Sequence, residues 1–178
     1  MSRLEDRWIR RRIRNGWEPL ASLGYADNIR ISAPANTVWS FCHSPETAHL
    51  TDPSIIRGYT SPTTPPGDLG EHQCFERREA DGTTQTVVIE VVALEHGRSA
   101  TTVRLPGRWP RITTTVDPTG PGCILTVELW QPVWERWSAE PEWAPELLAA
   151  IDDMRSHFES YLDRVKVWTE GGWTPNPT

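Results

Sequence analysis

At 178 residues, 37% of them hydrophobic and 24% charged, the chain has the profile of one soluble globular domain around a single core. A domain of this length hides roughly 70% of the surface its unfolded chain would expose, so its stability requires neither a metal nor disulfides. The formal net charge of −6 is unevenly spread: through Leu20, six arginines stand against Glu5, Asp6 and Glu18, which makes that stretch +3 and leaves the remainder at −9. A body that acidic argues against direct nucleic-acid binding.

Cys42, Cys74 and Cys123 are odd in number and form no CxxC pair, which points to a reducing compartment, the cytoplasm, rather than to a disulfide framework. No apolar signal region follows the N-terminal arginines, and no stretch approaches the roughly 18 apolar residues of a membrane span.

Residues 1–24 read as an arginine-rich arm. At 100° per residue, Arg3, Arg7, Arg10, Arg11 and Arg14 fall on one side of a helix and Leu4, Trp8, Ile9 and Ile13 on the other. Such an arm can dock on the chain's own acidic body, on an acidic partner protein or on an anionic membrane. Lys166 is the only lysine, so most arginines reflect whole-chain usage and read as solvated surface.

The main domain is expected over 25–170. Ala26–Ser32 is strand-like, and a helix opens at Ala33-Pro34 with Val38, Trp39, Phe41 and Cys42 as its apolar positions. Ser44-Pro45 starts a second short helix that ends near Asp52-Pro53. Six strand candidates follow: Ile55–Thr60, Glu71–Arg78, Gln85–Leu94, Ser99–Leu105, Arg111–Val116 and Cys123–Trp130. Turn chemistry at Pro65-Pro66-Gly67, Asp81-Gly82, His96-Gly97, Pro106-Gly107 and Pro118 to Gly122 separates them.

Ile112, Thr114 and Val116 share one strand face, as do Cys123, Leu125, Val127 and Leu129. In the fourth strand Val87, Ile89 and Val91 face inward and Glu90 outward. No helix separates these strands, so the sheet is antiparallel. Past Pro145, Leu147, Ile151, Met154, Phe158, Tyr161, Val165 and Trp168 recur at steps of four and three, the stripe of one long helix covering the sheet. Gly171-Gly172 stops that helix, and the tail over 171–178 is expected to be loose.

The run Ile31-Ser32-Ala33-Pro34-Ala35-Asn36-Thr37-Val38-Trp39, continuing to Ser44-Pro45-Glu46, resembles the opening signature of the START/Bet v 1-like (SRPBCC) superfamily in its bacterial polyketide cyclase/dehydrase branch. The Gly67 to Gly70 turn, the Val87 to Glu95 strand and the hairpin at Pro118 to Gly122 also resemble that family. The resemblance covers about Ala26 to Trp168. It implies an α+β helix-grip fold: a seven-stranded antiparallel sheet wrapped around a long C-terminal helix, with two short helices after the first strand. It also implies a cavity for an apolar small molecule, polycyclic or polyketide-like, which the protein binds or guides through cyclisation, aromatisation or dehydration. A non-catalytic carrier, and an adaptor working through the arginine arm, are the alternatives.

The chemistry-bearing residues narrow this further. Cys42, His43, His49, His72 and Cys74 lack compact zinc spacing, no GxSxG elbow supports a nucleophile, and no glycine loop cradles phosphate, so neither metal nor cofactor is expected. The expected pocket wall is Trp39, Phe75, Thr101, Thr114, Leu125, Trp130, Met154, Phe158 and Tyr161. His72 and Tyr161 are the candidate acid–base residues if they face inward. His72 and Phe75 have opposite parity, so only one of them can. Trp130, Trp134, Trp137 and Trp143 fold over the cavity mouth, cover a homodimer contact or pack in the core.

Overall fold

Proline and hydroxyl side chains set where the first strand gives way to helix. The computed structural model describes residues 11, 19–106, 110–134 and 143–174, with side chains from residue 24 onward except at 131–134 and 143–151. Strand β1 spans Pro19–Ile31 and helix α1 Ala35–His43. The Pro34 carbonyl accepts the amides of Thr37 and Val38, so the first turn closes on a residue whose own φ of −57° is pre-set. A 3₁₀ turn, Pro45–Thr47, follows, and then the short helix α2, Ala48–Thr51. The Thr47 hydroxyl donates to the carbonyls of Phe41 and Ser44, both at 2.7 Å, and so ties the end of α1 to the turn after it.

Six strands come next: β2 Ile55–Thr60, β3 His72–Arg78, β4 Thr84–Glu95, β5 Ser99–Arg104, β6 Arg111–Thr119 and β7 Gly122–Trp134. Helix α3, Trp143–Glu170, closes the chain's regular structure. The sheet order is β1-β7-β6-β5-β4-β3-β2 with every neighbour antiparallel, which is the predicted helix-grip architecture. No described helix is long and apolar enough to cross a membrane.

The core lies between the concave face of the sheet and α3. Ile31, Val116, Leu125, Val127 and Leu129 from the strands meet Val38 and Phe41 of α1 and Phe158, Leu162 and Val165 of α3. The deepest contact line on α3 is Phe158, Leu162, Val165 and Thr169. Tyr161 and Trp168, predicted within the stripe, stand one position to its side, because a pattern of strict four-and-three steps drifts around a helix of 3.6 residues per turn.

Several boundaries differ from the prediction. β1 starts at Pro19, so residues 19–24 of the predicted arm pair with β7 instead, the extension being stabilised by the far end of β7. Residues 1–18 of that arm, apart from Arg11, lie outside the described residues, as do Trp137 and 175–178 of the predicted loose tail. The start of that tail is packed: Gly172, at φ +87°, turns the chain back and Trp173 sets its ring edge-on to Phe41 at 5.0 Å. The Pro118 to Gly122 break shrinks to a tight hairpin, since Thr119 pairs with Gly122 and Gly120 alone takes positive φ.

Candidate functional site

Strand register decides what faces the helix. Gln73 and Phe75 of β3, Ile89 of β4, Ala100 and Thr102 of β5, Ile112 and Thr114 of β6 and Val127 of β7 are neighbours across the concave face. Together with Trp39 and Phe41 of α1, the segment around Pro45 to Asp52, and His157, Phe158 and Tyr161 of α3, they line a cavity of about 230 Å³ that is partly open to solvent. Its surface is mostly apolar and aromatic, with a small set of polar groups converging on it, the pattern of a small-molecule site.

One polar pair is Tyr161 and Cys42. Burial pushes the Cys42 thiol up to about 12, opposed by the hydrogen bond that the Tyr161 hydroxyl donates to it. Burial, with the neighbouring Cys42 adding to it, holds the Tyr161 phenol well above its ordinary value. Both groups therefore stay protonated near neutrality, so that the pair has the chemistry of a neutral donor rather than of a base.

A second polar group sits at the end of α1. The His43 ring lies on Trp39 at 4.9 Å between centroids, and its Nε2 is buried with no hydrogen-bond partner among the described residues. It lies 3.9 Å from Oε2 of Glu71, a carboxylate only 2% exposed. Glu71 accepts from the Thr60 hydroxyl at 2.6 Å and from the Gln73 amide at 3.1 Å, and Gln73 also donates to the His43 carbonyl. Burial holds the His43 imidazole below its ordinary pKa, Glu71 pulling it upward and His96 adding to the lowering.

At the mouth, burial alone would raise Asp52. The hydroxyl and amide of Ser54, at 2.6 and 2.8 Å, together with His157 and Arg77, turn its shift downward. Side chains of α3 hold this rim in place: Arg164 donates to the Thr51 carbonyl at 2.9 Å and Trp168 to the Leu50 carbonyl at 3.2 Å. Those carbonyls belong to the last turn of α2, where no intrahelical donor remains.

Of the residues predicted for the site, Trp39, Phe75, Thr114, Phe158 and Tyr161 line the cavity. His72 does not: it pairs with Glu90 and shares the outer face with Cys74, because Phe75 takes the inward parity. Thr101 also faces outward, hydrogen-bonded to Thr113 at 3.0 Å, while Ala100 and Thr102 face in. Thr101 and Trp130 border a separate open depression on the outer face with Arg111, Thr113 and Glu128. Leu125 is sealed in the core, and Met154 is half-buried against it, away from the cavity wall. Sequence reasoning passed over Gln73 of β3 and Glu71 just before it, although both share Phe75's parity; it weighed His43 only as a metal ligand.

No protein-family model matches the sequence, and no curated protein matches it. Solved structures do. The chain is similar to the di-domain ARO/CYC StfQ from the steffimycin biosynthetic pathway, with a TM-score of 0.62 and 15% identity over 84% of this chain and 51% of that one. It thus spans about half of StfQ's length. It is also similar to a START superfamily protein from Mycobacterium smegmatis, with a TM-score of 0.59 and 16% identity over 82% of this chain and 99% of the other. Norcoclaurine synthase from Thalictrum flavum, solved with dopamine and hydroxybenzaldehyde, gives 0.59 and 12% over 87% and 90%. The chain has the START/Bet v 1-like helix-grip fold.

Proposed function

We propose that the protein binds a small, largely apolar molecule of one or two rings between the sheet and α3. The observation that carries this is the cavity itself: about 230 Å³, walled by Trp39, Phe75 and Phe158, with Tyr161, Cys42 and His43 as its polar points. An apolar cavity of about 150 Å³ already holds benzene. A second ring or a few substituents use the remaining space, whereas a four-ring polyketide frame does not fit. Norcoclaurine synthase, on the same fold, was solved with one-ring molecules, which supports a ligand of that size. The three free cysteines accord with a reducing, cytoplasmic setting.

Within such a cavity the protein acts by holding its ligand in one conformation, which suits ring closure or dehydration. Tyr161 and Cys42, both held protonated, favour a second reading as a carrier that recognises without reacting. The test is a pair of probes followed by tryptophan emission, 2-naphthol and a four-ring quinone, on the wild type and on Ala100→Phe. 2-Naphthol is expected to bind and the four-ring probe to be excluded; Ala100→Phe, filling the wall, should weaken 2-naphthol at least about tenfold. Equal binding of both probes, or unchanged binding by the filled variant, overturns the proposal.

A further inference from the structure

We infer that His43 is the proton-accepting residue of the cavity, with Glu71 as its positioning residue, and that the ligand presents an acidic hydroxyl, a phenol or an enol, to the imidazole. This rests on reading the cavity as a binding site for a ring compound. The Glu71 side chain is almost wholly inaccessible and, among the described residues, accepts from the neutral donors Thr60 and Gln73. Among the described residues, the one cationisable group within 4 Å of it is His43. A carboxylate buried that way gains most when the imidazole beside it takes a proton.

The His43 geometry fits that use. Nε2 points to Glu71, so the nitrogen left for a ligand is Nδ1. The ring's face is fixed on Trp39, and the residue lines the cavity. The 3.9 Å separation is long for a hydrogen bond, and acid–base pairs often tighten to bonding distance only when a ligand is bound. The proton leaves the ligand oxygen and arrives on Nδ1, the Nε2–H then faces Glu71, and no electron is gained or lost. The other titratable group that bears on this ring is His96, in the turn after β4; Asp52 and His157 also line the cavity. Burial keeps the imidazole in its neutral, proton-accepting form near neutrality, and Glu71 limits how far that lowering goes.

4-Nitrophenol is the probe: one ring, an acidic hydroxyl, and a visible band belonging only to its phenolate. Its binding is read by tryptophan quenching and its ionisation by the visible band, across a pH series. In the wild type the bound probe should show about tenfold more phenolate than free probe at the same pH, one unit of downward shift. His43→Phe, which keeps a ring on Trp39, should bind the neutral probe and lose the shift. Glu71→Gln should also bind it, lose most of the shift, and move the His43 NMR titration to still lower pH. If Glu71→Gln does not fold, Glu71→Asp takes its place and should keep part of the shift, with His43→Phe deciding the base assignment in either case.

Probe that binds but ionises alike in wild type and His43→Phe overturns the assignment of His43, and an undiminished shift in the Glu71 variant removes its positioning role. Absence of any quenching in the wild type overturns instead the reading of the cavity on which both depend.

Discussion

Replacing Gly58 by alanine tests how closely β2 is held against the turn that walls the cavity. A Cβ built on Gly58 would lie 1.9 Å from the Pro45 carbonyl oxygen, 2.6 Å from its carbon and 3.2 Å from Cδ1 of Phe75. The obstacle is backbone, so no rotamer change relieves it; restoring ordinary contact at about 3.4 Å means moving Pro45 and β2 apart by about 1.5 Å. Overpacking of this kind costs about 1–3 kcal/mol, and a backbone obstacle puts this case near the upper end. For a domain of this size 1 kcal/mol lowers Tm by about 2–4 °C, so Gly58→Ala should melt about 6–12 °C below wild type by circular dichroism. Gly24→Ala is the control: nothing lies within 4 Å of its built Cβ, and a strand glycine carries an entropic penalty of about 0.5–1 kcal/mol relative to alanine. It should melt at or slightly above wild type. Equal shifts in the two variants, or a Gly58→Ala Tm within 2 °C or so of wild type, would refute the close approach.

Two further outcomes follow from the site. Cys42 is raised from 9.0 to about 12 in the folded state, so the unfolded chain loses this proton first, and the stability it represents is intact below about pH 9 and lost as pH rises towards 12. Tyr161 is shifted in the same direction; denaturant melts against pH should therefore fall steeply in the alkaline range, and Cys42→Ser should flatten the curve. His72→Ala, on the outer face, should leave 2-naphthol binding by tryptophan quenching unchanged within about twofold, since it touches nothing in the cavity; a larger loss would show that the face assignment of β3 is wrong.

The parts of the fold legible beforehand are those where the two faces of an element differ strongly in polarity. β7 alternates Leu125, Val127 and Leu129 with Thr126 and Glu128, and the structure keeps that division. β5 does not alternate so clearly: in Ser99-Ala100-Thr101-Thr102-Val103, threonine occupies both faces, so Thr101 was expected inward, and only pairing with β4 and β6 turns Ala100 and Thr102 inward. The N-terminal half of β1 has no periodicity of its own and exists because β7 runs on to Trp134. At the site, Trp39, Phe75, Phe158 and Tyr161 follow from amphipathic spacing. Glu71 beside His43 does not, because their proximity depends on where α1 ends relative to the start of β3, a tertiary fact. The shared parity of Glu71, Gln73 and Phe75 was a local sign that a carboxylate lay on the inner side.

The bonds from Arg164 and Trp168 to neighbouring carbonyls of α2 have a kinetic consequence. They leave the last turns of α3 and grip the rim of the cavity, so the rim cannot swing outward on its own. An outward movement of the rim requires both grips to release, or the end of α3 to travel with α2. Such a movement is a collective displacement, of the kind that runs on the microsecond-to-millisecond scale rather than the picoseconds to nanoseconds of side-chain rotation.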